Sequence, residues 1–109
     1  MSDLTPEELE ALLRLLDPDR ERAGERYEEL RRQLVRLFGF WGNEEPEELA
    51  DETLNRMAHK AAEGVPVTDA FRYARGIANH VQKEHWRRVV SRDKALEAGE
   101  WPPRPYEEE

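Results

Sequence analysis

Apolar residues return along this chain in steps of three and four, the spacing that gathers them on one side of an α-helix. Ala23, Tyr27, Leu30, Leu34, Leu37 and Trp41 alternate steps of four and three, which predicts a helix from about Asp19 to Phe38, closed off by Gly39, Gly42 and Asn43. Ahead of it, Thr5-Pro6-Glu7-Glu8 offers an N-cap, a proline at the first helical position and a capping-box glutamate. The helix it opens puts Leu9, Leu12, Leu13 and Leu16 on one side and stops at Asp17-Pro18. That apolar side either covers the rest of the molecule or mediates self-association. A third helix starts near Pro46, with Leu49, Ala50, Thr53, Leu54, Met57 and Ala61 together, and breaks at Gly64-Val65-Pro66. The fourth starts at a Thr68-Asp69 cap and runs to about Val90, with Ala70, Ala74, Ile77, Ala78 and Val81 inward. No stretch keeps up strand alternation. The expected fold is therefore all-α, a compact bundle of about four helices spanning residues 1–92. Residues 93–109, with Pro102, Pro103, Pro105 and a terminal Glu107-Glu108-Glu109, read as an acidic, flexible tail.

Length and composition narrow the class. At 109 residues there is room for one core. Cysteine is absent, which excludes a disulfide framework and a thiolate metal site. The start Met1-Ser2-Asp3 is acidic rather than a basic and apolar leader, and no run of apolar residues reaches membrane-spanning length. A cytoplasmic protein without a membrane partner is expected. His80 and His85 lie five apart, about 140° around a helix, and do not point at one ion. No phosphate-binding glycine loop and no nucleophile elbow occurs, so neither an enzyme, a metal nor a cofactor is expected.

Charge changes this picture. The net charge of −8 argues against a phosphate-bearing partner when taken whole. Its distribution does not. Between Arg72 and Lys94 seven basic residues face two acidic ones, a local balance of +5 against −13 for the rest. Such polarity fits a protein with one anionic and one basic partner. On the third helix Glu48, Asp51, Glu52, Asn55 and His59 fall within about 100° of arc, an acidic stripe suited to a basic protein surface or simply a solvated face. On the fourth, Arg72, Arg75, Asn79, Lys83, Trp86 and Arg87 fall within an arc of about 120°, with Ala70, Ala74, Ile77 and Val81 on the reverse. An exposed indole among arginines suits strand-separated nucleic acid, where cations track phosphates and the ring stacks on a base. The other arrangement open to Trp86 is to fold back into the core, as tryptophans commonly do.

Two runs carry a resemblance. Glu47-Glu48-Leu49-Ala50-Asp51-Glu52-Thr53-Leu54-Asn55-Arg56 and Tyr73-Ala74-Arg75-Gly76-Ile77-Ala78-Asn79-His80-Val81-Gln82-Lys83-Glu84-His85-Trp86-Arg87-Arg88 together resemble region 2 of the sigma-70 family of bacterial transcription initiation factors, extracytoplasmic-function type. The family's pattern is an acidic-Leu-x-Gln-Glu-x-Phe helix followed by an Ile-Ala-Arg-Asn-x-x-x-Asp-x-x-Arg-Arg helix. Here Asp51 stands for the Gln, Leu54 for the Phe, Asn79-His80 for the Arg-Asn pair and Glu84 for the Asp. The likeness covers about Ala23 to Arg92. It implies a region 2-like bundle in which Glu48, Asp51, Glu52 and Asn55 bind core RNA polymerase at the clamp helices of its largest subunit. It further implies that Arg72, Arg75, Asn79, Lys83, Trp86 and Arg87 engage promoter DNA, opened to single strands at the minus-10 region, with the 63–69 loop holding a flipped base. The family's second helical domain, region 4, does not fit into the 21 residues after Arg88. The chain therefore works as region 2 alone, is complemented by an accessory DNA-binding protein, or is a fragment. An anti-sigma partner, and a regulatory module that binds polymerase or another protein without initiating transcription, fit the same resemblance.

Overall fold

A computed structural model describes residues 4–97 of the chain, and among them four α-helices and no strand. They are α1 (Pro6–Leu16), α2 (Arg20–Phe40), α3 (Pro46–Ala62) and α4 (Ala70–Glu97). None of these helices is long and apolar enough to cross a membrane.

Local chemistry sets the helix ends. Thr5 and Glu8 form the complete capping box, with each backbone N–H donating to the other's side chain at 3.1 Å. Asp19 caps α2 by accepting from the N–H groups of Glu21 and Arg22, and Asp69 caps α4 by accepting from that of Arg72. Helices α2 and α3 stop in the same way. Gly42 and Gly64 take φ of +85° and +86°, where a Cβ is strained, and the chain doubles back. The N–H groups of Gly42 and Asn43 reach the carbonyls of Gly39 and Phe38, and those of Gly64 and Val65 reach Ala61 and Lys60, satisfying carbonyls that a helix end leaves open.

Helix α3 lies centrally and packs against the other three. Its Leu49, Ala50, Thr53, Leu54, Met57 and Ala58 are buried. Onto them close Leu12 from α1, Leu30, Leu34 and Phe38 from α2, and Ala74, Ala78 and Val81 from α4. The small residues of α4 let its backbone approach α3, whereas α2 supplies the bulk. Phe38 is fully buried and meets Trp41 edge to face, with ring centroids 5.5 Å apart. The buried Thr53 hydroxyl donates to the Leu49 carbonyl one turn back at 2.8 Å, so among the described residues no buried side-chain polar atom is stranded.

Helix α1 covers the bundle: Leu12 is wholly buried, and α1 packs on both α2 and α3. Helix α4 departs from expectation at its far end. It continues seven residues past Val90 to Glu97, because Ser91-Arg92-Asp93-Lys94-Ala95-Leu96-Glu97 holds no glycine or proline and several good helix formers. The segment read as a tail from residue 93 thus begins as helix; the rest of it, 98–109, lies outside the described residues. The core ends earlier. The last buried residue of α4 is Val81, and among the described residues no apolar side chain beyond it joins the core cluster.

Candidate nucleic-acid interface

The periodicity that buries Ala74, Ala78 and Val81 turns the opposite side of α4 to solvent. There Arg72, Arg75, Asn79, Lys83, Trp86 and Arg87 are all exposed, in an arc that runs about 22 Å along the helix. Trp86 is 61% exposed, so the indole stands on the surface and not in the core. Arg72, Arg75, Lys83 and Arg87 make no ion pair among the described residues, which leaves four uncommitted cations on one side.

The acid that interrupts this basic segment is taken up by its neighbour. Arg56 of α3 donates to both oxygens of Glu84 at 2.6 and 3.1 Å and to Glu52 at 2.8 Å. The guanidinium beside it holds the Glu84 carboxyl below the usual carboxylate range, and the two carboxylates hold Arg56 charged at any accessible pH. Arg56 thus ties α3 to α4, a role that no periodicity reveals.

The acidic stripe of α3 lies across a groove from this helix, with Glu48, Glu52 and Arg56 on one wall and His85 and Arg88 on the other. Its members differ in how they are committed. Glu48 is exposed and unpaired among the described residues. Asp51 is exposed but accepts a two-pronged bond from Arg31 of α2, at 2.8 and 3.3 Å. Glu52 is half-buried and held by Arg56. Asn55 is half-buried in a small hollow beside Leu4, Thr5 and Glu8, at the start of α1. In the same hollow His59 meets Glu8 through Nδ1 at 2.8 Å and Glu63 through Nε2 at 3.1 Å. The Glu8 carboxylate raises the His59 pKa, and the imidazole lowers that of Glu8.

The chain matches no family model, no curated protein and no solved structure. What the site can do therefore rests on its own geometry. The loop after α3 is occupied with holding helix ends, Glu63 on His59 and Lys60 and Asp69 on α4. A different recess lies at the other end of α4. The α2–α3 connection (Trp41, Gly42, Asn43, Glu44, Glu45) and α4 (Gln82, His85, Trp86, Val89, Arg92) enclose a cleft of about 520 Å³. Asn43 bridges its two walls, donating to the Phe38 carbonyl at 2.9 Å and to Gln82 Oε1 at 2.7 Å. Sequence reasoning missed this cleft because Trp41 read as the end of a core stripe and Asn43 as a helix terminator. Both readings hold, yet neither tells that α4 passes alongside.

Proposed function

We propose that this chain acts as a sigma region 2-like transcription initiation module, docking on core RNA polymerase through α3 and engaging opened promoter DNA through α4. One observation carries the nucleic-acid half. Four cations that are unpaired among the described residues and a 61% exposed indole share one side of a helix whose reverse is packed into the core. An indole costs about 25 cal/mol for each Å² of apolar surface left in water, so its exposure among cations calls for a partner with a stacking face. Single strands offer bases and phosphates together, whereas a duplex hides its base faces. The polymerase half rests on the resemblance and on Glu48, the acid of the stripe left free to meet a basic surface.

Forked and single-stranded oligonucleotides titrated against Trp86→Ala and Arg87→Ala test the first half. Trp86→Ala is expected to weaken binding by about 1–3 kcal/mol, the worth of one stacked base, with the thermal midpoint unchanged. Undiminished affinity in both variants overturns the assignment. For the second half, Glu48→Lys is the clean probe, since Asp51 ties α3 to α2 and Glu52 braces Arg56, which ties α3 to α4. Retained binding of Glu48→Lys to core polymerase removes the stripe from the mechanism. Binding of the unaltered chain without run-off transcripts turns the reading into that of a regulatory module.

A further inference from the structure

The cleft beside Trp86 runs along α4 as far as Arg92, five residues short of Glu97, where the described helix ends. Trp41 is half-buried and fixed edge-on by Phe38, and Trp86 stands across from it on α4, so two indoles serve one recess. From there His85, Val89, Arg92 and Leu96, at steps of four and three, carry one wall on to the helix end, where Leu96 is 55% exposed. The lining is mixed in its hydrogen bonding. Arg92, His85 and both indoles bring donors to it. On the α2–α3 side Glu44 and Glu45 bring two exposed carboxylates that form no ion pair among the described residues. An occupant that suits this recess lies apolar and flat against the rings, offers carbonyls to the donors and carries a cation for the acidic side.

The chain carries such a segment just beyond α4. Glu97 is followed by Ala98-Gly99-Glu100 and then by Trp101-Pro102-Pro103-Arg104-Pro105-Tyr106. Proline has no N–H to donate while its carbonyl can accept, and the residue before a proline is biased towards extended backbone. A run with prolines at 102, 103 and 105 therefore favours a polyproline II helix before it meets any partner. Segments of this kind dock in grooves lined by aromatic rings, at little cost in chain entropy. The length fits as well. The eleven residues from Glu97 back to Trp86 cover about 17 Å of helix axis, and the six from Gly99 to Pro105 cover about 19 Å at the polyproline rise. A reversal at Ala98-Gly99 thus brings Pro102 to Pro105 level with the cleft. The order of charges matches too: Arg104 falls by Glu44 and Glu45, and Glu107 follows level with Lys83, which makes no ion pair among the described residues.

We infer that residues 101–106 of this chain fold back along the far end of α4 and seat in the cleft between the α2–α3 connection and α4. The prolines lie against Trp41 and Trp86, their carbonyls meet the donors of the wall, and Arg104 meets Glu44 and Glu45. The inference does not rest on the nucleic-acid reading of α4. It gives that reading a competitor, since a strand stacked on Trp86 and the folded-back segment contend for the same indole.

The full chain holds no cysteine, so Glu107→Cys takes a single nitroxide spin label. In the labelled, isotope-enriched protein the indole N–H signals of Trp41 and Trp86 are expected to broaden. The amides of Ala23 and Gly24, about 25 Å from Trp41 along α2, are expected to stay sharp. A segment that merely hangs from Glu97 also passes near Trp86, so the dependence on sequence decides. Arg104→Glu is expected to relieve the broadening at both indoles, and adding Glu44→Lys with Glu45→Lys to bring it back. Glu45 makes no side-chain cap bond and both glutamates are exposed, so these reversals leave the bundle folded. Pro102→Gly with Pro103→Gly and Pro105→Gly is expected to relieve the broadening as well, by loosening the extended run. Sharp indole signals in the labelled chain, or broadening that none of these substitutions alters, overturn the inference. So does broadening passed from a spin-labelled chain to an isotope-enriched chain without a label, which assigns the segment of a second copy. No nucleic acid enters the measurement, so its outcome and that of the oligonucleotide titrations are read separately.

Discussion

Asp51 and Glu52 occupy one stripe on a helical projection, yet they do different things. Asp51 reaches sideways to Arg31, while Glu52 shares Arg56 with Glu84 of the next helix. A projection gives the direction of a side chain but not its long-range partner: Arg31 lies 20 residues from Asp51, and the Glu84 that Arg56 also binds lies 28 residues from Arg56. The same limit hid the Asn43–Gln82 bridge, 39 residues apart, whereas the Thr5–Glu8 and Asp69 caps were legible because their partners are three residues off. The Arg56 triad is the pair network most open to test. All three side chains are 35–41% exposed, so solvent screens the attraction, and Arg56→Ala is expected to cost about 1 kcal/mol in urea unfolding, not the several of a fully buried pair. Because the folded state depresses the Glu84 pKa, this contribution is present above the ordinary carboxylate pKa and is lost as pH falls through the depressed value. The variant is expected to lose part of its acid sensitivity over that range.

Among the elements, α2 and α3 ended where their glycines stood, because among the described residues only Gly42 and Gly64 adopt a positive φ. Gly24 and Gly76 sit inside α2 and α4 with nothing within 4 Å of an added Cβ. Gly24→Ala or Gly76→Ala is therefore expected to raise stability by about 0.5–1 kcal/mol, through the lower entropy of the unfolded chain. Gly64→Ala is expected to lower it by about 1–2 kcal/mol, because alanine resists the left-handed turn. Thermal melts of the three variants check the opposite signs. Helix α1 brings a pH dependence of its own. Its Glu8 meets His59, whose folded pKa is raised, so the stabilisation is full below the ordinary histidine pKa and fades as pH rises through the raised value. Glu8 is shifted the opposite way, and its share fades only as pH falls through a value below the ordinary carboxylate range. The unaltered chain is expected to melt at a higher temperature near pH 6 than near pH 8, by more than His59→Gln does. Equal slopes in the two proteins would remove this contact as the cause. Which way the leucines of α1 would turn was open in the sequence, since an apolar stripe fits a neighbour in the same chain or in another. Burial of Leu12 decides for the same chain.

At the scale of the whole molecule, the segregation of charge that the sequence counts revealed becomes a difference between two packed helices. The apolar stripes carried enough information for four helices and one core, because burial follows periodicity. The length of α4 was less legible, since beyond Val81 it buries no residue and so carries no apolar stripe to mark it. Four cations on the free side of α4 set a salt dependence. For single strands the affinity is expected to fall with a log–log slope of about −3 against salt, and to lose about 0.7 of slope with each of Arg72, Arg75, Lys83 or Arg87 replaced. A slope indifferent to these substitutions would place the phosphate contacts elsewhere.

Beyond Glu84, the last residue of α4 bonded to another helix among the described residues, α4 buries no side chain, so this stretch is a rod clamped at one end. A short helix held by its own hydrogen bonds alone is marginal in water. Its amides should trade their protons with solvent far faster than those between Ala74 and Val81, and anything seated against Trp86 should slow that exchange by bracing the rod. The unsupported stretch thus gives a readout of occupancy that needs no label and depends on no enzymatic turnover.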